Sequence, residues 1–251
     1  MKTCALVILT LGLNGSMFAQ SPPEVFDSAN QLYQESRFPE AKDHYESILA
    51  NGYESSALYL NLGNTYFRMG NLARAVVNYE RGLRIAPGDE DLQFNLSLAG
   101  MMTVDRIEST PRLFIWDYWD ELKSAFSLQG VFWSAYAAYV LIFILLSVLI
   151  FAGSFTVRRI ALFGSIGATM VFLLLLVVGI SRHSDFSRTD RAVIMTEIVS
   201  VKNSPDISST DAFVLHAGAS VQITDSVGGW VQIRLADGKV GWVEGGEVEV
   251  I

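Results

Sequence analysis

The sequence predicts a multidomain membrane protein: an all-α repeat array, a two-helix transmembrane hairpin and an all-β small barrel, in that order. Three observations carry this prediction. Residues 131–151 and 160–180 are two uncharged apolar runs, each of which makes a helix of about 31 Å against a hydrocarbon core of about 30 Å. Residues 21–110 repeat themselves at an interval of 34 residues. From Arg191 onward the pattern changes to short β-rich runs divided by Gly-Gly and Asp-Gly pairs.

Residues 1–20 read as an export signal. Lys2 supplies the positive charge, residues 5–13 the short apolar stretch, and Ser16 to Ala19 a small-residue cleavage zone before Gln20. Cys4 is the single cysteine of the chain and precedes the apolar stretch, whereas a lipid-bearing cysteine would follow it. Removal of the signal is therefore expected to leave no disulfide, no thiolate nucleophile and no cysteine metal site. The formal charge is −8, with the excess acid on both sides of the apolar hairpin. Neither flank holds a basic stripe, so nucleic acid is not expected as a partner, and anionic headgroups are not expected to recruit the chain.

Arg158 and Arg159 are the only charges between the two apolar runs. The positive-inside rule puts them in the cytoplasm and both large segments on the far side of the membrane, in agreement with the export signal. The expected location is a bacterial inner membrane with two spans and both terminal domains periplasmic. Before the first span, residues 111–130 hold an amphipathic stretch. Ile115, Tyr118, Trp119, Leu122 and Phe126 recur at helical spacing opposite Asp117, Asp120, Glu121 and Lys123. With Trp116 and Trp119 it suits a helix lying at the water–lipid boundary; a connector packed on the last helix of the array is the alternative.

Within residues 21–110, Ala41 and Tyr45 recur as Ala75 and Tyr79, and Ala29 aligns with Gly63. Tyr59, Leu62, Gly63, Tyr66, Ala75, Tyr79, Gly82 and Pro87 fall at the spacing of the tetratricopeptide pattern, so this segment resembles a tetratricopeptide repeat array. The first copy departs from the pattern, with Ser28 and Leu32 where Leu and Tyr are expected and Tyr53 in place of the closing Pro. A further helix beginning after Pro87-Gly88 is read as a solvating cap, which makes two repeats and a cap. All of these are packing positions. The resemblance implies a concave face lined by the first helix of each repeat, and maps Asn30, Asn61, Asn64, Phe67, Arg68 and Asn95 onto it. There the amides could grip a peptide backbone and Arg68 a carboxylate; the alternative is that they are ordinary solvated helix residues.

Residues 191–251 are expected to form the barrel, with strand runs at 193–201, 213–215, 220–224, 230–235 and 240–243. Asp237-Gly238 and Gly228-Gly229 mark two hairpin turns. The string from Gly218 to Val243, with its Gly241-Trp242 pair, resembles bacterial SH3-like domains. Proline-peptide binding does not carry over, because the opening aromatic motif of the eukaryotic domains has no counterpart here. Bacterial relatives often meet cell-wall material or protein partners. Trp230 and Trp242 are the surface candidates, with a core or barrel-rim role as the alternative.

No chemistry stands out. His44, His183 and His216 fall in three separate segments without metal-ligand spacing. There is no Gly-rich phosphate loop, nucleophile elbow or carboxylate pair, and the apolar runs hold no ionisable residue for transport. No cofactor, metal or catalytic residue is expected, and the chain is read as a non-enzyme. The order of its modules resembles the BatE-like members of the Bacteroides aerotolerance (Bat) family. That resemblance implies a membrane complex with von Willebrand factor A-type Bat proteins and, indirectly, a MoxR-type ATPase, serving envelope integrity or oxidative-stress tolerance. The leading expectation is a scaffold whose array binds a partner protein. The rival is a sensor whose SH3-like domain contacts peptidoglycan.

Overall fold

The computed structural model describes residues 21–107, 113–124, 127–187 and 190–251. The export-signal reading of residues 1–20 and the place of Phe126 in the amphipathic stretch lie outside the described residues.

Four helices form two hairpins: α1 (Pro22–Gln34) with α2 (Phe38–Ala50), and α3 (Ser56–Arg68) with α4 (Leu72–Ile85). The first three helix starts recur 34 residues on, as the sequence period demands. Side-chain caps set the starts of α3 and α4. The Ser55 hydroxyl accepts from the Leu58 amide, and the Asn71 side chain accepts from the Arg74 amide, each at 3.1 Å. Small residues set the spacing between the helices. A methyl group at Gly63 would lie 2.5 Å from the Tyr79 ring, so hydrogen is what lets α3 and α4 approach. Ala29, at the matching place in the first repeat, is fully buried.

Helix α5 (Glu90–Met102) follows Pro87-Gly88 and is capped by Asp89, which accepts from the Leu92 amide. One face seats Leu92 and Ala99, both fully buried, in the array's core. Its other face corrects the expectation of a solvating cap. Phe94, Met101 and Met102 lie 66%, 66% and 57% exposed, so the array ends on an apolar stripe.

Helix α6 (Phe114–Ser124) covers the amphipathic stretch, with Ile115 and Tyr118 exposed while Trp119 and Leu122 are half-buried. Helices α7 (Leu128–Phe151) and α8 (Phe155–Ser187) then pack side by side as a hairpin. Both are long and apolar enough to cross a membrane. The connection is shorter than the sequence suggests, because α8 begins before the two arginines and Arg158 and Arg159 stand in its opening turns. Arg158 Nε donates to the Ala152 carbonyl at 2.7 Å, satisfying a free end of α7. With 33 residues α8 is about 50 Å long, so its far end runs past any bilayer it spans and reaches α4.

The C-terminal segment is an antiparallel sheet of β1 (Arg191–Ile194), β2 (Ile198–Lys202), β3 (Asp211–His216), β4 (Ser220–Val227), β5 (Trp230–Arg234), β6 (Val240–Glu244) and β7 (Val248–Val250). The order is β3-β2-β6-β5-β4-β1-β7, so the expected barrel is not closed: β3 and β7 remain as edges. Two features explain this. β7 has three residues and pairs only with β1, while β2 meets β6 through the single pair Lys202 and Trp242. The expected single run at 193–201 is two strands: the ladder with β7 ends where the Met195 amide donates to the Glu247 carbonyl, and the chain bends at residues 196–197 before β2. One apolar cluster nevertheless draws on strands from across the order, including Ala192, Val201, Leu215, Ile233 and Val243. Gly228 and Gly229, with φ of 57° and 87°, make the two-residue turn between the paired Val227 and Trp230.

Candidate functional site

The six residues mapped to the groove divide by what they touch. Asn30 Oδ1 accepts from the Tyr45 hydroxyl at 2.7 Å and from Asn61 Nδ2 at 2.8 Å. Asn64 Oδ1 accepts from the Tyr79 hydroxyl at 2.8 Å. Asn30–Tyr45 and Asn64–Tyr79 are the same bond in successive repeats, each tying the first helix of a hairpin to its second. Burial holds the Tyr45 phenol up at about 12 and raises that of Tyr79 as well. Arg68 lays its guanidinium over the Phe38 ring at 4.8 Å, a cation–π contact that staples α3 to the start of α2. Phe67 packs against the array's core, and Asn95 Nδ2 donates back to the Asp91 carbonyl on its own helix. The structure therefore brings Asn30 and Asn61 together, and it uses the oxygens of Asn30 and Asn64 inside the array. The exposed cation of Arg68 and the apolar stripe of α5 remain on the surface.

Trp230 and Trp242 are both half-buried. Trp242 stands opposite Gln232 on β5, and Trp230 opposite Glu244 on β6. By strand alternation these four side chains share one face, away from the buried Ile233 and Val243. The pair is thus a part-exposed aromatic patch with an amide and a carboxylate beside it.

The contacts that join array and sheet follow no pattern in the sequence. Glu249 on β7 pairs with Arg74 at 2.7 Å and with Arg81 at 3.0 Å, and Arg81 also donates to the Val250 carbonyl at 3.1 Å. Arg191 pairs with Glu80 at 3.1 Å. Beyond α5, the Asp105 carboxylate accepts from the His216 amide at 2.6 Å and lies 3.0 Å from His216 Nδ1. Between these polar contacts Val193, Met195, Ala217 and Ile251 join the apolar cluster of the array. Each charge looks like a solvated helix or strand residue in its own segment, so only the folded arrangement reveals its partner.

A cavity of about 1120 Å³ opens beside this junction, between α4, α5, α6, the end of α8 and the sheet. Among the described residues no group of His, Cys, Asp or Glu is placed to hold a metal ion. The histidines stay apart, on α2, α8 and β3.

Comparison with known families agrees with this architecture. Residues 56–89 match the tetratricopeptide repeat family and residues 199–249 match the bacterial SH3 domain family. A comparison with curated proteins gave no match. The chain thus carries a tetratricopeptide repeat and a bacterial SH3 domain, modules suited to protein–protein interaction or cell-wall binding.

Proposed function

We propose that this chain is a non-enzymatic, membrane-anchored scaffold, held by the α7–α8 hairpin, with both terminal modules on the periplasmic side of a bacterial inner membrane. The observation that carries the reading is the end of the array. Helix α5 leaves Phe94, Met101 and Met102 exposed at helical spacing where a free-standing array would present polar side chains. A partner protein that continues the stack covers this stripe. The module order supports other membrane proteins as the partners, von Willebrand factor A-type Bat proteins first and a MoxR-type ATPase through them, in a complex for envelope integrity or oxidative-stress tolerance.

Crosslinking in native membranes followed by mass spectrometry tests this. Crosslinks from α5 and from the surface around Arg68 to other membrane proteins are expected. Phe94→Glu combined with Met101→Glu should cut partner recovery about tenfold, the scale of losing one buried anchor. Unchanged recovery with the array still folded overturns the scaffold reading.

One observation favours a second reading, a cell-wall-binding sensor. The half-buried Trp230 and Trp242, with Gln232 and Glu244 on the same face, form an aromatic platform of the kind that meets sugar or peptide. Sedimentation of the full chain with isolated wall material, compared with Trp242→Ala, separates the two. The sensor requires binding that the variant loses, and the scaffold requires none.

A further inference from the structure

The cavity beside the junction has an uncommon lining. Five basic and four acidic side chains share it with the indoles of Trp116 and Trp119 on α6 and with apolar Leu83 and Leu96. Arg191 on β1 pairs across it with Glu80 on α4, and Lys123 pairs with Asp120 one turn away on α6. Those pairs bring the lining close to neutral, yet both signs remain in reach of a ligand: the side chains of Arg191 and Asp120 are 67% and 45% exposed. An anion alone or a cation alone leaves one sign unanswered, whereas a ligand carrying both answers each.

The height of the cavity says which ligand. Counting about 20 helical residues per bilayer from the arginine pair at the start of α8 puts the outer headgroup region near residue 180. Arg182, two residues further on, lines the cavity and is only 8% exposed. Trp116 and Trp119 line it too, while Ile115 and Tyr118 of the same helix are exposed, as in a helix that lies on a bilayer surface. At that level phospholipid is the abundant molecule with a phosphate and an ammonium on one headgroup.

We infer that this cavity seats the headgroup of a zwitterionic phospholipid, the guanidinium groups addressing its phosphate and the carboxylates and indole faces its ammonium. The site rests on the membrane-anchored reading above. It fixes the height and tilt of the two outer modules over the bilayer, because one headgroup touches α4, α6, α8 and the sheet together. It differs from recruitment by an anionic surface, for which the chain has no basic stripe.

The test uses the full chain. Alkaline extraction of the source membranes first asks whether the chain is integral, and release into the wash overturns the anchored reading and the lipid site with it. The integral protein is then delipidated in detergent, titrated with phosphatidylethanolamine or phosphatidylglycerol, and read by native mass spectrometry. Soluble phosphoethanolamine serves as the arm without acyl chains. One retained phosphatidylethanolamine per chain is expected, with at least tenfold preference over phosphatidylglycerol and weaker retention of the soluble headgroup. Arg234→Gln, on an exposed strand position, and Trp119→Phe should each lower retention about tenfold, while Trp133→Phe on α7, outside the cavity, should not. No retained lipid, equal or better retention of phosphatidylglycerol, or loss that is the same for all three variants overturns the site while leaving the anchored reading intact.

Discussion

Ser36 and Gly70 occupy the same place in successive repeats, the turn between the helices of a hairpin, and both have a left-handed backbone, with φ of 62° and 78°. Glycine adopts that conformation freely, whereas an L side chain gives up about 1–2 kcal/mol there. Ser36→Gly should therefore stabilise the first hairpin by up to about 1 kcal/mol, the relief of strain exceeding the added freedom of the unfolded chain. Gly70→Ala should destabilise the second by about 1 kcal/mol. Hydrogen exchange resolved to α1–α4 in the full chain reads both, and a Ser36→Gly variant that exchanges faster would contradict the strain argument. Gly63 makes a different case, since its backbone is ordinary and its space is not. Gly63→Ala drives a methyl group into the Tyr79 ring, which the bond to Asn64 holds in place. The expected cost is about 1–3 kcal/mol, measured as a lower urea midpoint for the array. The sequence revealed Gly63 as a packing glycine through its alignment with Ala29; the role of Ser36 was hidden because serine carries no mark of positive φ.

At the scale of elements, the buried tyrosines at the two Asn–Tyr bonds make the array sensitive to alkali. Tyr45 titrates near 10 when unfolded and at about 12 when folded, because burial disfavours its phenolate. A folded pKa above the unfolded one gives stability that is complete below pH 10 and lost as the pH rises to 12. For Tyr45 alone the loss is on the order of 2 kcal/mol by pH 12, and Tyr79 and Tyr66, whose phenols burial also raises, add to it. Urea unfolding at pH 8 and pH 11 should show roughly the first half of this loss, with Tyr45→Phe retaining more of its pH 8 stability. A pH-independent midpoint would mean the phenols are open to water. These bonds also show how far the array was legible. The 34-residue period gave the helix pairs, and both tyrosines were visible in it. Asn30 and Asn64 recur with the same period, and each follows a core residue, Ala29 or Gly63, by one position. That flank of the helix borders both the groove and the second helix of the hairpin, so the sequence could assign the amides to a ligand as readily as to a tyrosine. The hydrogen bonds decide for the tyrosine.

The whole molecule was the least legible scale, because its assembly depends on contacts that no local pattern announces. Each module was visible in its own segment: a 34-residue period, two uncharged runs, a series of β-rich stretches with two glycine turns. Their mutual placement rests on pairs such as Arg81 with the Val250 carbonyl, 169 residues apart, and on Val193 and Ile251 entering the array's core. Strand closure was equally out of reach, since alternation along a strand says which face is buried but not which edges meet. The junction is thus the part of the molecule that most needs a direct test. Glu249 stands between two arginines with its side chain 22% exposed, and exposed pairs contribute about 1 kcal/mol or less each. Glu249→Lys turns two attractions into two repulsions and should weaken docking by on the order of 2 kcal/mol. Hydrogen exchange should then quicken in β1 and β7 and along the sheet-facing side of α4, while the remaining sheet keeps its protection. Arg74→Glu added to Glu249→Lys restores one attractive pair and should recover part of that protection. If the single reversal leaves exchange at the junction unchanged, the apolar contacts of Val193, Met195, Ala217 and Ile251 suffice to hold the two modules together. In that case the charges would set only the register in which they dock.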